Sequence, residues 1–209
     1  MSFIDLPRAL LGLVFPPNCV ACGRLVETPP YRYLCASCAV DVEFTPPPAA
    51  VRFRGPARDL VRALKYRRAR YVLRDMETIF RQSAVLLDHV RGAVLVPVPL
   101  HPRRQRERGF NQSELLARRL ARAAGGGTSV VTVLQRVIDT PPQASLGREG
   151  RPANVKNAFA LKRSPGLNPA SRYLIVDDVV TTGSTLESCA HVLRAGGALN
   201  VEVATFGRG

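Results

Sequence analysis

From Pro56 to Leu87 apolar residues recur at helical spacing, first as Leu60, Val61 and Leu64, then as Leu73, Met76, Ile79 and Phe80. Beyond residue 90 short apolar runs begin to alternate with amphipathic stretches. Ala93 to Val98 is a continuous apolar run that predicts a buried strand. Asn111 to Ala124 predicts a helix, with Asn111 as N-cap, Glu114 at the capping-box position and Gly125-Gly126-Gly127 as its stop. Val130 to Leu134 predicts a second strand, Val155 to Leu161 a third and Tyr173 to Val176 a fourth. Pro141 to Arg151, rich in Pro, Gly and Ser, reads as a long exposed loop. Ser184 to Ala195 predicts a helix stopped by Gly196-Gly197, and Leu199 to Phe206 the last strand. This alternation predicts an α/β fold, a parallel sheet covered by helices on both faces.

The chemistry gathers at the fourth strand. Leu174-Ile175-Val176 runs into Asp177-Asp178, and Thr181-Thr182-Gly183-Ser184-Thr185 then opens a helix. Open α/β sheets bind ligands at the carboxyl ends of their strands. The turn places backbone N–H groups and hydroxyls around one anion at a helix N-terminus, and Gly183 permits a close backbone approach. Carboxylates repel phosphate but accept hydrogen bonds from ribose hydroxyls. The combination reads a 5-phosphorylated ribose, sugar diol at one end and monoester at the other. The alternative is an ordinary strand-to-helix turn in which Asp and Thr serve as caps.

After the first strand of the alternating region, Arg103, Arg104, Arg106 and Arg108 lie between Pro102 and Gly109. Guanidinium forks suit a diphosphate, and Gly109 with the following helix N-terminus would add backbone donors. A solvated basic loop is the competing reading. His101 has no partner histidine nearby and reads as a loop residue.

Four of the five cysteines form Cys19-x2-Cys22 and Cys35-x2-Cys38, the spacing of a four-thiolate zinc ribbon. A closed thiolate set has no open coordination position, so the expected role is structural. Cys189 falls within a helix and reads as a core residue. Thr45-Pro46-Pro47-Pro48 marks a break after this module, giving a segment 1–50 and a second unit 51–209, with a helical lead-in over 51–90 and an α/β core over 91–209.

Charge adds a partner class. The net charge is +14, and all but three of the 30 basic residues are arginine, the exceptions being Lys65, Lys156 and Lys162. Such a surface suits polyphosphate or nucleic acid. Residues 52–74 hold nine basic residues against Asp59 alone, with Tyr66 and Tyr71 interleaved. Lys65 reads either as a phosphate ligand or as part of a solvated helix face. The apolar stretch near the N-terminus carries Asp5 and Arg8 and lacks a small-residue cleavage site, so no signal peptide is expected. No run approaches the roughly 18–20 residues that span a bilayer. A cytoplasmic location is the expectation.

The run Leu174–Leu186 resembles the phosphoribosyl-pyrophosphate loop of type I phosphoribosyltransferases. With the four-cysteine ribbon, Ala63-Leu64-Lys65-Tyr66, Val96-Pro97-Val98-Pro99 and Arg106–Gln112, the whole chain resembles the ComF/GntX family. The resemblance implies a phosphoribosyltransferase-like domain over 51–209, substrate binding with magnesium, and displacement of pyrophosphate from C1 of ribose by a nitrogen nucleophile. In that reading Asp177 and Asp178 hold the diol, and the arginine segment is the pyrophosphate loop. The stretch Thr140–Val155 resembles the family's closing loop, with Gln143, Arg151 and Asn154 as site candidates. Three residues follow Phe206, so an acceptor lid is expected from residues 1–90 or from a partner. The family's association with natural competence implies the alternative, a protein that handles single-stranded DNA or a competence partner without turnover.

Overall fold

A computed structural model describes residues 17–27, 29–138, 158–162 and 166–209. Its centre is a parallel five-stranded sheet in the order β1-β7-β6-β2-β3, comprising β1 (Ala49–Arg52), β2 (Val94–Pro97), β3 (Ser129–Val130), β6 (Arg172–Val180) and β7 (Asn200–Arg208). β4 (Leu134–Arg136) and β5 (Phe159–Leu161) form a separate antiparallel pair. The helices are α1 (Ala36–Val40), α2 (Gly55–Tyr66), α3 (Leu73–Gln82), α4 (Ala84–Val90), α5 (Pro102–Arg108), α6 (Gln112–Ala124) and α7 (Ser184–Ala195).

Strand alternation divides the core into two layers. Leu95, Leu174 and Val176 face one way, packing with Leu60 and Leu64 of α2, Met76 and Phe80 of α3, and Leu116 and Leu120 of α6. Val96, Tyr173 and Ile175 face the other way, with Leu186, Cys189 and Leu193 of α7 and with Leu134 and Phe159 of the β4–β5 pair. Asp178 shares the parity of Leu174 and Val176, which turns it towards the face that α2 covers.

Three expectations change. The predicted Val130–Leu134 strand divides, because β3 pairs with β2 only through Ser129 and Val130. The chain then leaves the sheet edge, and Leu134 is buried beside Phe159 of the antiparallel pair. The predicted third strand is accordingly β5, outside the parallel sheet; its first residues, from Val155, lie outside the described set, as does the Thr140–Val155 stretch. The fourth strand continues through the acidic pair to Val180, because β7 runs beside it and satisfies its backbone from Asp177↔Thr205 to Val180↔Arg208.

β1, unpredicted, pairs with β7 through Ala49↔Thr205 and Val51↔Gly207. It joins the ribbon segment to the sheet, and position 50/51 falls inside it. The ribbon is tied down a second time by Asp75 of α3. That carboxylate is wholly buried and accepts the N–H groups of Arg32 at 2.9 Å and Tyr33 at 2.7 Å. The Tyr33 carbonyl in turn accepts the N–H of Val20, inside the first cysteine pair, at 2.9 Å.

Candidate phosphoribosyl site and cysteine cluster

Asp177 is half-buried and its Oδ1 is fixed by two donors, the Ser113 hydroxyl at 2.7 Å and the Asp178 N–H at 2.8 Å. Ser113 can reach because Asn111 caps α6, its Oδ1 accepting the Ser113 N–H at 3.0 Å while its amide donates to the Val98 carbonyl. Burial, and then the charge of Asp178, push the Asp177 carboxyl up to about 7, with Lys65 and the Ser113 hydroxyl opposing.

Asp178 is buried, 3% exposed. Its Oδ1 lies 2.8 Å from Nζ of Lys65, which projects from the last turn of α2. Its Oδ2 is also buried and has no hydrogen-bond partner among the described residues. Burial works against the Lys65 ammonium, but Asp178 outweighs it and the lysine is held above its usual range. Arg108, half-buried at the end of α5, also feels the field of Asp178, although burial pushes its guanidinium below its usual range.

Beyond the carboxylates the chain turns through exposed Thr181 and Thr182 to Gly183, whose φ of +79° is the left-handed conformation that favours glycine. Gly183 is the N-cap of α7, and no side chain caps this helix. Its first-turn donors therefore point outward with the positive end of the helix dipole. The Thr182 and Ser184 hydroxyls lie 3.1 Å apart beside them, and Thr185 is half-buried in the first turn. The carboxylates do not act as caps here; they face Ser113 and Lys65 instead.

The arginine segment is helical rather than a loop. Pro102 presets the first turn, the His101 side chain accepts the Arg103 N–H at 3.4 Å, and Gly109 closes the helix at φ +84°. Gly109's N–H is committed to the Gln105 carbonyl at 2.8 Å. Arg103 is exposed and pairs with Glu107 at 3.0 Å, Arg106 is exposed, and Arg104 is half-buried. Arg108 interacts electrostatically with Asp178. It also donates to Gln112 at the start of α6.

Sequence reasoning passed over Ser113, and it offered no partner for Lys65. A hydroxyl two residues after an N-cap, on the helix following the first strand, was the available signal for Ser113. Nothing local could pair Lys65 with a residue so far along the chain.

The four cysteines converge, with all four sulfurs within 4.8 Å of one another and Cys22 and Cys35 Sγ 3.6 Å apart. A zinc–sulfur distance of about 2.3 Å gives a tetrahedral edge of roughly 3.8 Å, so the donor set fits that ion. The first knuckle closes through Gly23 N–H to Cys19 carbonyl at 2.8 Å, with Gly23 at φ +78°. In the second, the Ser37 hydroxyl foremost holds the Cys35 thiol down at about 6. Cys189 is buried in the α7 layer, as expected of a core residue.

Comparison with known proteins gives a consistent set. Residues 111–208 match the family described as phosphoribosyl transferase domain. The chain is 35% identical to the DNA utilization protein YhgH of Salmonella typhimurium over 197 residues, 92% of this chain and 79% of that one. It is 39% identical to competence protein F of Haemophilus influenzae over 109 residues, 52% of this chain and 47% of that one. Among solved structures, a hypoxanthine phosphoribosyltransferase from Staphylococcus aureus is 17% identical, covers 64% of this chain and 62% of its own, and has a TM-score of 0.41.

Proposed function

The chain belongs to the ComF/GntX family, with a phosphoribosyltransferase-type fold behind a four-cysteine module, and from that premise we propose that it binds phosphoribosyl pyrophosphate with magnesium and transfers the phosphoribosyl group to a nitrogen acceptor. The observation that carries this reading is the buried Oδ2 of Asp178, unpartnered among the described residues, followed five residues on by a helix N-cap, Gly183, with no side-chain cap. One is an acceptor for a hydroxyl, the other a cradle for a phosphate monoester. A ribose 5-phosphate moiety supplies both groups.

The chain's residues divide the work. Asp177 and Asp178 hold the ribose diol, with Asp177 oriented by Ser113. Thr181, Thr182, Gly183, Ser184 and Thr185 surround the 5-phosphate. Arg108, with Arg104 on the same helix, supplies positive charge towards the pyrophosphate. The acceptor nitrogen attacks C1 as the bond from C1 to the pyrophosphate oxygen breaks. The electron pair leaves with pyrophosphate, and the nitrogen sheds a proton. Positive charge on the ring peaks between these events, and the adjacent carboxylates stabilise it. Magnesium arriving with the substrate would supply positive charge to the leaving pyrophosphate, beside that of Arg108. Zinc in the thiolate cluster is structural, holding the two knuckles that α3 anchors through Asp75.

Calorimetric titration of the zinc-loaded protein with phosphoribosyl pyrophosphate and magnesium tests this reading. Binding that disappears in the Asp177→Asn/Asp178→Asn double variant supports it, and absence of binding to the unaltered protein overturns it. A screen of nucleobases and related amines for pyrophosphate release then identifies the acceptor.

A second reading rests on the face of α2 and the turn after it. Tyr66 is 72% exposed and Tyr71 51% exposed, among the exposed Arg58, Arg62, Arg67 and Arg74. Stacking rings within a basic stripe suit single-stranded nucleic acid, as the names of the relatives also suggest. The stripe is thinner than its sequence implies, because Arg52 and Arg54 turn onto Glu43, Arg68 bonds the Glu107 carbonyl and Lys65 turns inward. The expected signature is single-strand binding that falls steeply with salt and is lost on Arg62→Glu with Arg67→Glu. Affinity unchanged by that reversal removes the reading.

A further inference from the structure

We propose that Lys65 is a positioning residue for the diol carboxylates: by engaging Asp178 Oδ1 it fixes the plane of that carboxylate and turns Oδ2 towards the ribose, and it does not itself contact phosphate. The inference rests on the reading that this site takes a phosphorylated ribose, and it assigns the lysine a place within it.

The geometry has three parts. Two adjacent carboxylates at the end of one buried strand repel each other, and water is largely excluded from them. A cation must compensate, and among the described residues the one in contact is Lys65, 2.8 Å from Asp178 Oδ1 with its side chain 23% exposed. The hydrogen bond also fixes the plane of the carboxylate. One oxygen is satisfied by protein, and the other is left buried without a partner. Asp177 is also held through its Oδ1, by the Ser113 hydroxyl and the Asp178 N–H. Each carboxylate is thus anchored through one oxygen. The Lys65 ammonium is engaged by a site carboxylate, whereas the Arg108 guanidinium donates to Gln112, which distinguishes the two cations.

The groups that act on the pair are Lys65 on α2, Arg108 at the end of α5, Ser113 on α6 and Cys189 on α7, with Tyr66 acting in turn on Lys65 and Arg108. Burial pushes the Cys189 thiol up, so it stays neutral. Asp177 has its carboxyl raised to about 7, and Lys65 is the foremost influence lowering it. A ribose hydroxyl is held more strongly by the ionised acceptor. Affinity should therefore rise with pH through this range in the unaltered protein. Removing Lys65 should move that rise to higher pH.

The test uses two probes on the full-length zinc-loaded protein between pH 6 and pH 8.5. Ribose 5-phosphate carries the diol and the monoester without pyrophosphate, and phosphoribosyl pyrophosphate with magnesium carries all three. Lys65→Met should weaken both by about tenfold or more at pH 6.5, with partial recovery at alkaline pH. Lys65→Arg, which keeps the charge, should restore most of the affinity and the original profile, and melting curves confirm that both variants fold. If Lys65→Met weakens phosphoribosyl pyrophosphate but leaves ribose 5-phosphate unchanged, the lysine is a pyrophosphate ligand and the proposal is overturned. An unshifted pH profile in Lys65→Met overturns it equally. Failure of the unaltered protein to bind either probe removes the underlying phosphoribosyl reading, a result distinct from both.

Discussion

Asp75 and Asp178 are both buried carboxylates, one on α3 and one on β6, and they are used in opposite ways. Asp75 has each oxygen occupied, by the N–H groups of Arg32 and Tyr33. Asp178 has one oxygen on Lys65 and the other unpartnered among the described residues. A buried acceptor left open costs stability. A fold that satisfies one carboxylate completely and leaves its counterpart half-satisfied at a strand end has kept the second for something else. The first fastens the cysteine module to the core; the second leaves an acceptor open, which the proposed ligand would fill with a hydroxyl.

The largest expected effect breaks the satisfied side. Asp75→Ala strands two buried N–H groups and should cost on the order of 3 kcal/mol of stability. Chemical denaturation should read this as a lower midpoint, while zinc content and ligand affinity of the remaining folded protein stay close to normal. Next comes the cradle. Gly183→Ala puts a side chain on a φ of +79° and should cost about 1–2 kcal/mol, together with most of the affinity for ribose 5-phosphate. Calorimetry alongside a melting curve separates the two losses.

The smallest effect sharpens the open side. Because the folded Asp177 carboxyl is raised above its unfolded value, its contribution is most favourable below the unfolded range near pH 4 and is lost as pH rises through about 7. Asp177→Asn keeps an acceptor for Ser113 and for the Asp178 N–H but cannot ionise. It should melt higher than the unaltered protein at pH 8, with the gap closing towards pH 5. A variant that melts lower at pH 8 contradicts that account of the site.

How much of this was legible in the sequence depends on the range over which each feature is decided. The Asn111 cap, the bounds of α7 and the run from Leu174 into the acidic pair are local, and residues within a few positions of each fix them. The helicity of Pro102–Arg108 was also local but was masked, because four arginines suggested a ligand loop before the Pro start and the Gly stop suggested a helix. β1 was beyond reach. Four residues of Ala-Ala-Val-Arg carry no period, and their partner β7 lies at the far end of the chain. The same separation hid the role of Lys65, whose sequence setting is a basic helix face and whose actual neighbour is Asp178. Asp75 carries no local sign of its burial or of its bonds to the Arg32 and Tyr33 N–H groups, which lie more than forty residues away.

The contrast between the two carboxylates is tested most directly by thermal melting of Asp75→Asn and Asp178→Asn with and without phosphoribosyl pyrophosphate and magnesium. Ligand at about a hundred times its dissociation constant should stabilise the unaltered protein by about 2.7 kcal/mol. The account predicts that Asp75→Asn starts from a lower melting temperature yet keeps the ligand-induced rise, whereas Asp178→Asn loses the rise. A full ligand-induced rise in Asp178→Asn would contradict it.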